Sequence, residues 1–197
     1  MIRAKHIIDN SGQNSGVIVE RNEGTIVLNP QNVVKVPSLI SELVKILGNV
    51  CIEEELSNEV IDTQEFKPDD KIEYNAVIIY KEIIEEFSVY YSTCEKYLNA
   101  YDNSHIRGKA KILKCIHMWY LRAKGQVLLD NSESCKSEME IVRDNSDKII
   151  DMVGEKILQV MKSSGEIESA CQEELELGIA CFTCYCFMEC KILEKPL

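Results

Sequence analysis

The residues most able to do chemistry lie near the C-terminus, in Cys181-Phe-Thr-Cys184-Tyr-Cys186-Phe-Met-Glu-Cys190. Four thiols at this density suggest zinc ligation or a redox centre, because thiolates bind soft metals and exchange disulfides. Helical geometry opposes a site built from this segment alone. At about 100° per residue, Cys181 and Cys184 share one side of a helix while Cys186 and Cys190 share another, and a tetrahedral metal needs convergent ligands. Two of these thiols could still contribute, with Cys51, Cys94 or Cys115 completing the set. The stronger reading is that free cysteines act here as small buried hydrophobes. Leu177, Ile179, Phe182, Phe187 and Met188 make the helix apolar on most sides, as expected where several neighbours or a second copy cover it. Phe182, Tyr185 and Met188 are accordingly the candidate partner-binding residues of this helix. No metal ligands and no cofactor site are assigned.

A second feature is one-sided charge. Arg107, Lys109, Lys111, Lys114, Arg122 and Lys124 occur with no acidic residue between Ser104 and Leu129, and Trp119 and Tyr120 lie among them. Such a segment suits phosphate contact, which makes Arg107, Lys111, Lys114 and Arg122 the candidate nucleic-acid contacts. The favoured alternative is pairing with Glu82, Glu85, Glu86 and Glu95 or with the acidic connector, because the chain as a whole is acidic. His6, His105 and His117 are scattered, and Cys115 and His117 fall about 200° apart on a helix, which precludes direct activation of the thiol. Glu138 and Glu140, or Asp144 and Asp147, sit where an exposed helical face puts carboxylates anyway. There is no phosphate-cradling glycine loop and no nucleophile elbow. We expect no catalytic residue and no enzyme.

The elements that must position these residues follow from composition and pattern. The 197 residues are 45% apolar and 28% charged, with a net charge of −11. These values suit one or two domains with a buried core. They argue against general nucleic-acid coating and against a polybasic membrane anchor. No apolar run reaches membrane-spanning length, and residues 1–16 lack the apolar stretch of a signal peptide. The nine cysteines, odd in number, therefore read as reduced thiols of a cytoplasmic protein.

The fold expected is mainly α, an antiparallel four-helix bundle preceded by a small β-rich N-terminal arm. Residues 1–50 form that arm with one short helix. Val17-Ile18-Val19 and Thr25-Ile26-Val27-Leu28 each follow an Asn-Gly turn signal, as in a hairpin or a short solenoid-like repeat. So few strands are marginal alone, so Val17, Val19, Ile26 and Leu28 are candidate partner-binding residues. A helix opens at Pro37-Ser38 and stops at Gly48. Residues 51–70 form an acidic linker, with eight Asp or Glu against one Lys.

Residues 71–197 carry the bundle. In the first helix Ile72, Ala76, Ile79, Ile83, Phe87, Tyr90, Cys94, Tyr97 and Tyr101 recur about every 3.6 residues. The second spans 105–130. The third opens at a capping box, Ser137 with Glu140, and the fourth at another, Ser169 with Gln172. Short loops favour up-down topology.

Three stretches then stand out: Phe66-Lys67-Pro68-Asp69-Asp70-Lys71-Ile72-Glu73-Tyr74-Asn75, Ile141-Val142-Arg143-Asp144-Asn145-Ser146-Asp147-Lys148-Ile149-Ile150-Asp151, and Cys190-Lys191-Ile192-Leu193-Glu194-Lys195-Pro196. With the Asn-Gly-rich strands before them, they make the chain resemble the small helical domains of bacterial ABC-three-component conflict systems, the group that includes the Lamassu anti-phage systems. The resemblance covers about residues 65–197 and rests on non-catalytic motifs. In those systems such a domain ends an effector and couples it to an SMC-like ATPase and a middle component. Effectors there carry a nuclease or other toxic domain before the helical part, whereas this chain has about 65 residues in that place. The resemblance thus implies a stand-alone adaptor, or an element that has lost or never had its own enzyme; the aromatic row and the apolar fourth helix add the expectation of a homo-oligomer. A nucleic-acid-binding regulator and a metal or redox sensor using Cys181, Cys184, Cys186 and Cys190 are the alternatives.

Overall fold

The computed structural model describes residues 37–53, 67–164 and 171–196, most of them helical, with no strand among them. The expected arm residues Val17, Val19, Ile26 and Leu28, and most of the acidic linker, lie outside the described residues. The elements are α1 (Leu39–Glu53), α2 (Pro68–Asn75), α3 (Lys81–Phe87), a 3₁₀ turn (Ser88–Tyr90), α4 (Tyr91–Ser104), α5 (Gly108–Asp130), α6 (Glu138–Asp144), α7 (Ser146–Ser164) and α8 (Gln172–Met188).

Two of the four expected rods are broken. The first stops at Asn75: the Val77 N–H donates to the Ile72 carbonyl and the Ala76 N–H to the Glu73 carbonyl, both at 3.1 Å. This closes α2 as a Schellman motif does, with Ala76 left-handed at φ 53°. Ile79, expected on the buried stripe, is therefore turned out to 70% exposure. The third rod breaks at Asn145, whose side chain donates to the Ile141 carbonyl at 2.9 Å. Its capping box forms as expected, the Ser137 N–H reaching the Glu140 carboxylate at 2.8 Å and the Glu140 N–H the Ser137 hydroxyl at 3.4 Å. Ser169 lies outside the described residues, and α8 opens instead with the Cys171 N–H donating to the Glu174 carboxylate at 3.2 Å.

The expected division placed the short helix with the N-terminal arm. In the structure α1 falls within a unit running from Lys35 to Leu197, and its stripe of Ile40, Leu43, Val44 and Leu47 is buried along α8. Glycine permits the contact. Gly48 lies inside α1 and stops nothing. A Cβ there would stand 1.9 Å from the Glu174 carbonyl oxygen, and one at Gly178 would stand 2.0 Å from that of Val44. Only residues without a side chain let two backbones approach so closely. The Ser164 hydroxyl, donating to the Ser41 hydroxyl at 3.0 Å in the core, ties the end of α7 to the start of α1.

α3, α4 and α7 cover the other sides of α8. This corrects the placement of Phe182, Tyr185 and Met188 at a partner surface. Their exposures are 0%, 0% and 9%, and the chain's own helices bury them. A helix apolar all round is one wrapped by neighbours, and here the neighbours are internal.

Candidate functional site

Of the three stretches that carry the resemblance, hydrogen bonds join the first to the third, and the second to the turn that directly follows the first. In the first, Lys71 is 1% exposed and donates to the carbonyls of Phe187 and Ile192, the latter at 2.8 Å, with its ammonium 4.4 Å from the Phe187 ring centroid. A cation at the end of α8 meets orphan carbonyls and the negative end of the helix dipole. Burial pushes this ammonium down to about 8, against the opposing pull of Cys190, Cys186 and Glu194.

Asn75 grips the third stretch. Its Nδ2 donates to the Glu194 carbonyl and its Oδ1 accepts from the Glu194 N–H, both at 2.9 Å. Burial would raise the Glu194 carboxyl, but Lys124 at 2.6 Å and the Tyr120 hydroxyl at 2.5 Å hold it below the usual range. Within this tail Cys190 and Leu193 take positive φ of 51° and 62°. Backbone strained in this way persists where surrounding contacts over-determine it.

The second stretch supplies Asp147. Its carboxylate accepts from the backbone N–H groups of Ile78 (3.1 Å), Ile79 (3.0 Å) and Tyr80 (3.1 Å), donors left open at the start of α3. The Ser146 hydroxyl donates to the Ala76 carbonyl at 3.2 Å, and the Tyr80 hydroxyl donates to Asp151. The turn between α2 and α3 is thereby fixed from α7. It displays Ile78 and Ile79 at 78% and 70% exposure. Two large apolar side chains on a pre-ordered turn are suited to burial against a partner, since little backbone freedom remains to be lost on binding. Sequence periodicity hid the pair by placing Ile79 on a core stripe. The available signal was an unusual run of three apolar β-branched residues, Val77-Ile78-Ile79; their partner Asp147, in the first turn of α7, stands 67 to 69 residues from the amides it binds.

Behind Tyr80 a cavity of about 440 Å³ opens between α3, α7 and α8. Its apolar wall includes Ile83, Ile84, Ile150, Leu158, Ile179 and Phe187, and its charged lining is Asp151, Glu155 and Glu176. Thr183 also lines it, 6% exposed, with a hydroxyl that finds no hydrogen-bond partner among the described residues. A buried hydroxyl left in this state costs about 1–3 kcal/mol. The sequence reading missed this cavity. Its trace there was Gly154 in mid-helix, where glycine is unfavourable.

None of the nine cysteines is in a disulfide. Cys94 of α4 does meet Cys181, Sγ to Sγ at 3.4 Å, but the Cys184 thiol donates to the Ile83 carbonyl at 3.7 Å, and Cys190 has left the helix. No cluster among the described residues could hold a metal. At Cys181 a hydrogen bond with Cys51 works downward, yet Cys94 and burial outweigh it and raise the thiol well above its ordinary value. Burial pushes Cys184 up to about 12 and raises Cys186 as well. Protonated, enclosed thiols are poor nucleophiles and poor ligands.

The basic residues of α5 divide. Lys109 pairs with Glu95, and Lys124 pairs with Glu138 and Glu194, each at 2.6 Å. Arg107, Lys111, Lys114 and Arg122 are exposed and form no ion pair among the described residues. Met118 and Leu121, 41% and 52% exposed, lie on the same helix. No helix among the described residues is long and apolar enough to cross a membrane. Comparison with protein-family models, with curated proteins and with solved structures finds no match.

Proposed function

We propose that the chain is a non-enzymatic, oligomerising adaptor that couples components of a bacterial ABC-three-component anti-phage system. Its helical bundle would provide the body, and a β-rich arm bearing Val17, Val19, Ile26 and Leu28 would pair with another copy or another subunit. The observation that carries the reading is the turn clamped by Asp147, on which residues of the resembling stretches converge to hold Ile78 and Ile79 outward. Burying one such side chain is worth about 1.5–3 kcal/mol, enough for roughly a ten- to hundredfold effect on affinity.

The test is co-expression with an SMC-like ATPase and middle component encoded beside the gene, followed by co-purification and light scattering. The adaptor reading expects a complex that the double variant Ile78→Ser, Ile79→Ser weakens at least tenfold without lowering helix content. A strict monomer at high concentration, with no component retained, counts against it.

One observation favours a second reading, a nucleic-acid-binding regulator: Arg107 at the N-cap of α5, and Lys111, Lys114 and Arg122 within it, form no ion pair among the described residues. It requires salt-sensitive binding to a duplex or single strand that weakens when Lys111, Lys114 and Arg122 are neutralised. Absence of binding at low salt excludes it.

A further inference from the structure

We propose that the cavity between α3, α7 and α8 is a binding site for a small amphipathic cation, an apolar body carrying an amine head. This does not depend on the adaptor reading. The volume of about 440 Å³ lies in the range of small-molecule sites, which are mostly apolar with a few placed polar groups. Ile83, Ile84, Ile150, Leu158, Ile179 and Phe187 supply the apolar wall.

Among the described residues, the charged side chains in the lining are all acidic: Asp151, Glu155 and Glu176, with no Lys or Arg. A ligand carboxylate or phosphate would meet like charge there, whereas an amine meets complementary charge. The Tyr80 hydroxyl donates to Asp151 and so orients one of the three carboxylates.

Two further observations point to an occupant. Thr183 is 6% exposed and lines the cavity with its hydroxyl unpartnered, while the adjacent Cys184 thiol is already committed to the Ile83 carbonyl. Buried polar groups are nearly always satisfied, and the Thr183 hydroxyl, enclosed and unpaired where it stands, would reach a ligand group by turning about its χ1 into the cavity. Gly154 is the second. It stands in the interior of α7, where no backbone approaches it and a Cβ would meet nothing within 4 Å. Glycine in such a place weakens the helix without relieving a clash. Its bare backbone keeps the cavity open.

The test is calorimetric titration of the full chain with decylamine, decanoate and decanol, one apolar body with three heads, each kept below its micellar concentration. Decylamine is expected to bind saturably at one site, at least about tenfold more tightly than either analogue. Gly154→Leu, which fills the space, should weaken it at least about tenfold while leaving the thermal midpoint unchanged or raised. Glu155→Gln with Glu176→Gln, both exposed, should reduce the preference for the amine to what Asp151 alone supports, while decanol affinity stays as it was. Thr183→Val should weaken decylamine at constant side-chain shape. Absence of saturable decylamine binding, equal affinity for the three heads, or affinity untouched by Gly154→Leu would overturn the proposal.

Discussion

Replacing Lys71 by Met keeps the length and apolar stem of the side chain and removes the ammonium from under α8. The carbonyls of Phe187 and Ile192 then lose their donor, which costs about 2 kcal/mol at neutral pH once relief from burying a cation is set against it. The pH dependence of this loss is the sharper quantity. With its folded-state value lowered to about 8 from 10.5, Lys71 sheds its proton in the folded chain while the unfolded chain retains it. The stability it contributes therefore rises with pH across that window, and between about pH 7.5 and 9.5 the gain is about 2 kcal/mol. The absolute stability of both proteins moves the other way. Cys184 and Cys186, raised by burial, and Tyr120, raised by burial and by Glu194, ionise more readily once unfolded. Those contributions are common to both proteins and cancel in the difference. Urea unfolding of each, followed by fluorescence of the buried Trp119, should show the gap in favour of the native chain widening by about 2 kcal/mol over that range. A gap that stays flat or narrows would refute the argument. It would mean that the two carbonyls, the Phe187 ring and the helix end compensate fully for burial.

Three other outcomes follow from the packing and the caps. Gly178→Ala puts a methyl 2.0 Å from the Val44 carbonyl oxygen and should cost about 2–4 kcal/mol, whereas Gly125→Ala, with nothing within 4 Å, should gain about 0.5–1 kcal/mol; thermal unfolding of the pair separates close approach from helix propensity. Asp147→Ala should speed amide exchange at Ile78, Ile79 and Tyr80 far more than at α8, with a global loss of about 1–2 kcal/mol, and uniform exchange would show that the turn is held by something else. Under native conditions a thiol reagent should modify the exposed Cys135 and Cys171 rapidly, with Cys94, Cys181, Cys184 and Cys186 reacting only on unfolding; fast labelling of the buried four would refute the inert-core account.

The helical class was legible because apolar spacing near 3.6 reports a helix whatever the helix packs against. So was the Ser137 to Glu140 box, since its hydrogen bonds are local in sequence. What escaped depends on partners distant in the chain. A five-residue interruption at 76–80 preserves the spacing on either side, so the pattern reads straight through a break that Asp147 completes from 67 residues away. Gly48 resembles a stop until Glu174 is found against it. The all-round apolarity of α8 fits burial by one's own chain as well as by a second copy, and sequence holds nothing to separate the two. The cavity left only Gly154 as a trace, because an unfilled volume is a property of three helices together.

The positions that break local rules lie close to one another in this fold. Of the four non-glycine residues with positive φ among those described, Arg107 stands apart, whereas Ala76 directly follows the first resembling stretch, and Cys190 and Leu193 belong to the third. Lys71, a nearly inaccessible cation, belongs to the first. Strain and buried charge are retained where something else is gained, and sequences consistent elsewhere tend to break such rules at functional positions. Lys71 and Asn75 hold the C-terminal tail against α2, the closed end of α2 delivers the chain into the turn, and Asp147 fixes that turn from α7. The result is an outward-facing Ile78 and Ile79 whose backbone is set before any partner arrives. Tyr80 continues the same turn into the cavity, where its hydroxyl meets Asp151. The turn and the cavity are thus separate surfaces with one shared residue. Gly154→Leu alters the second without touching the first, and Ile78→Ser with Ile79→Ser does the reverse, so loss of assembly and loss of amine binding should segregate between the two variants.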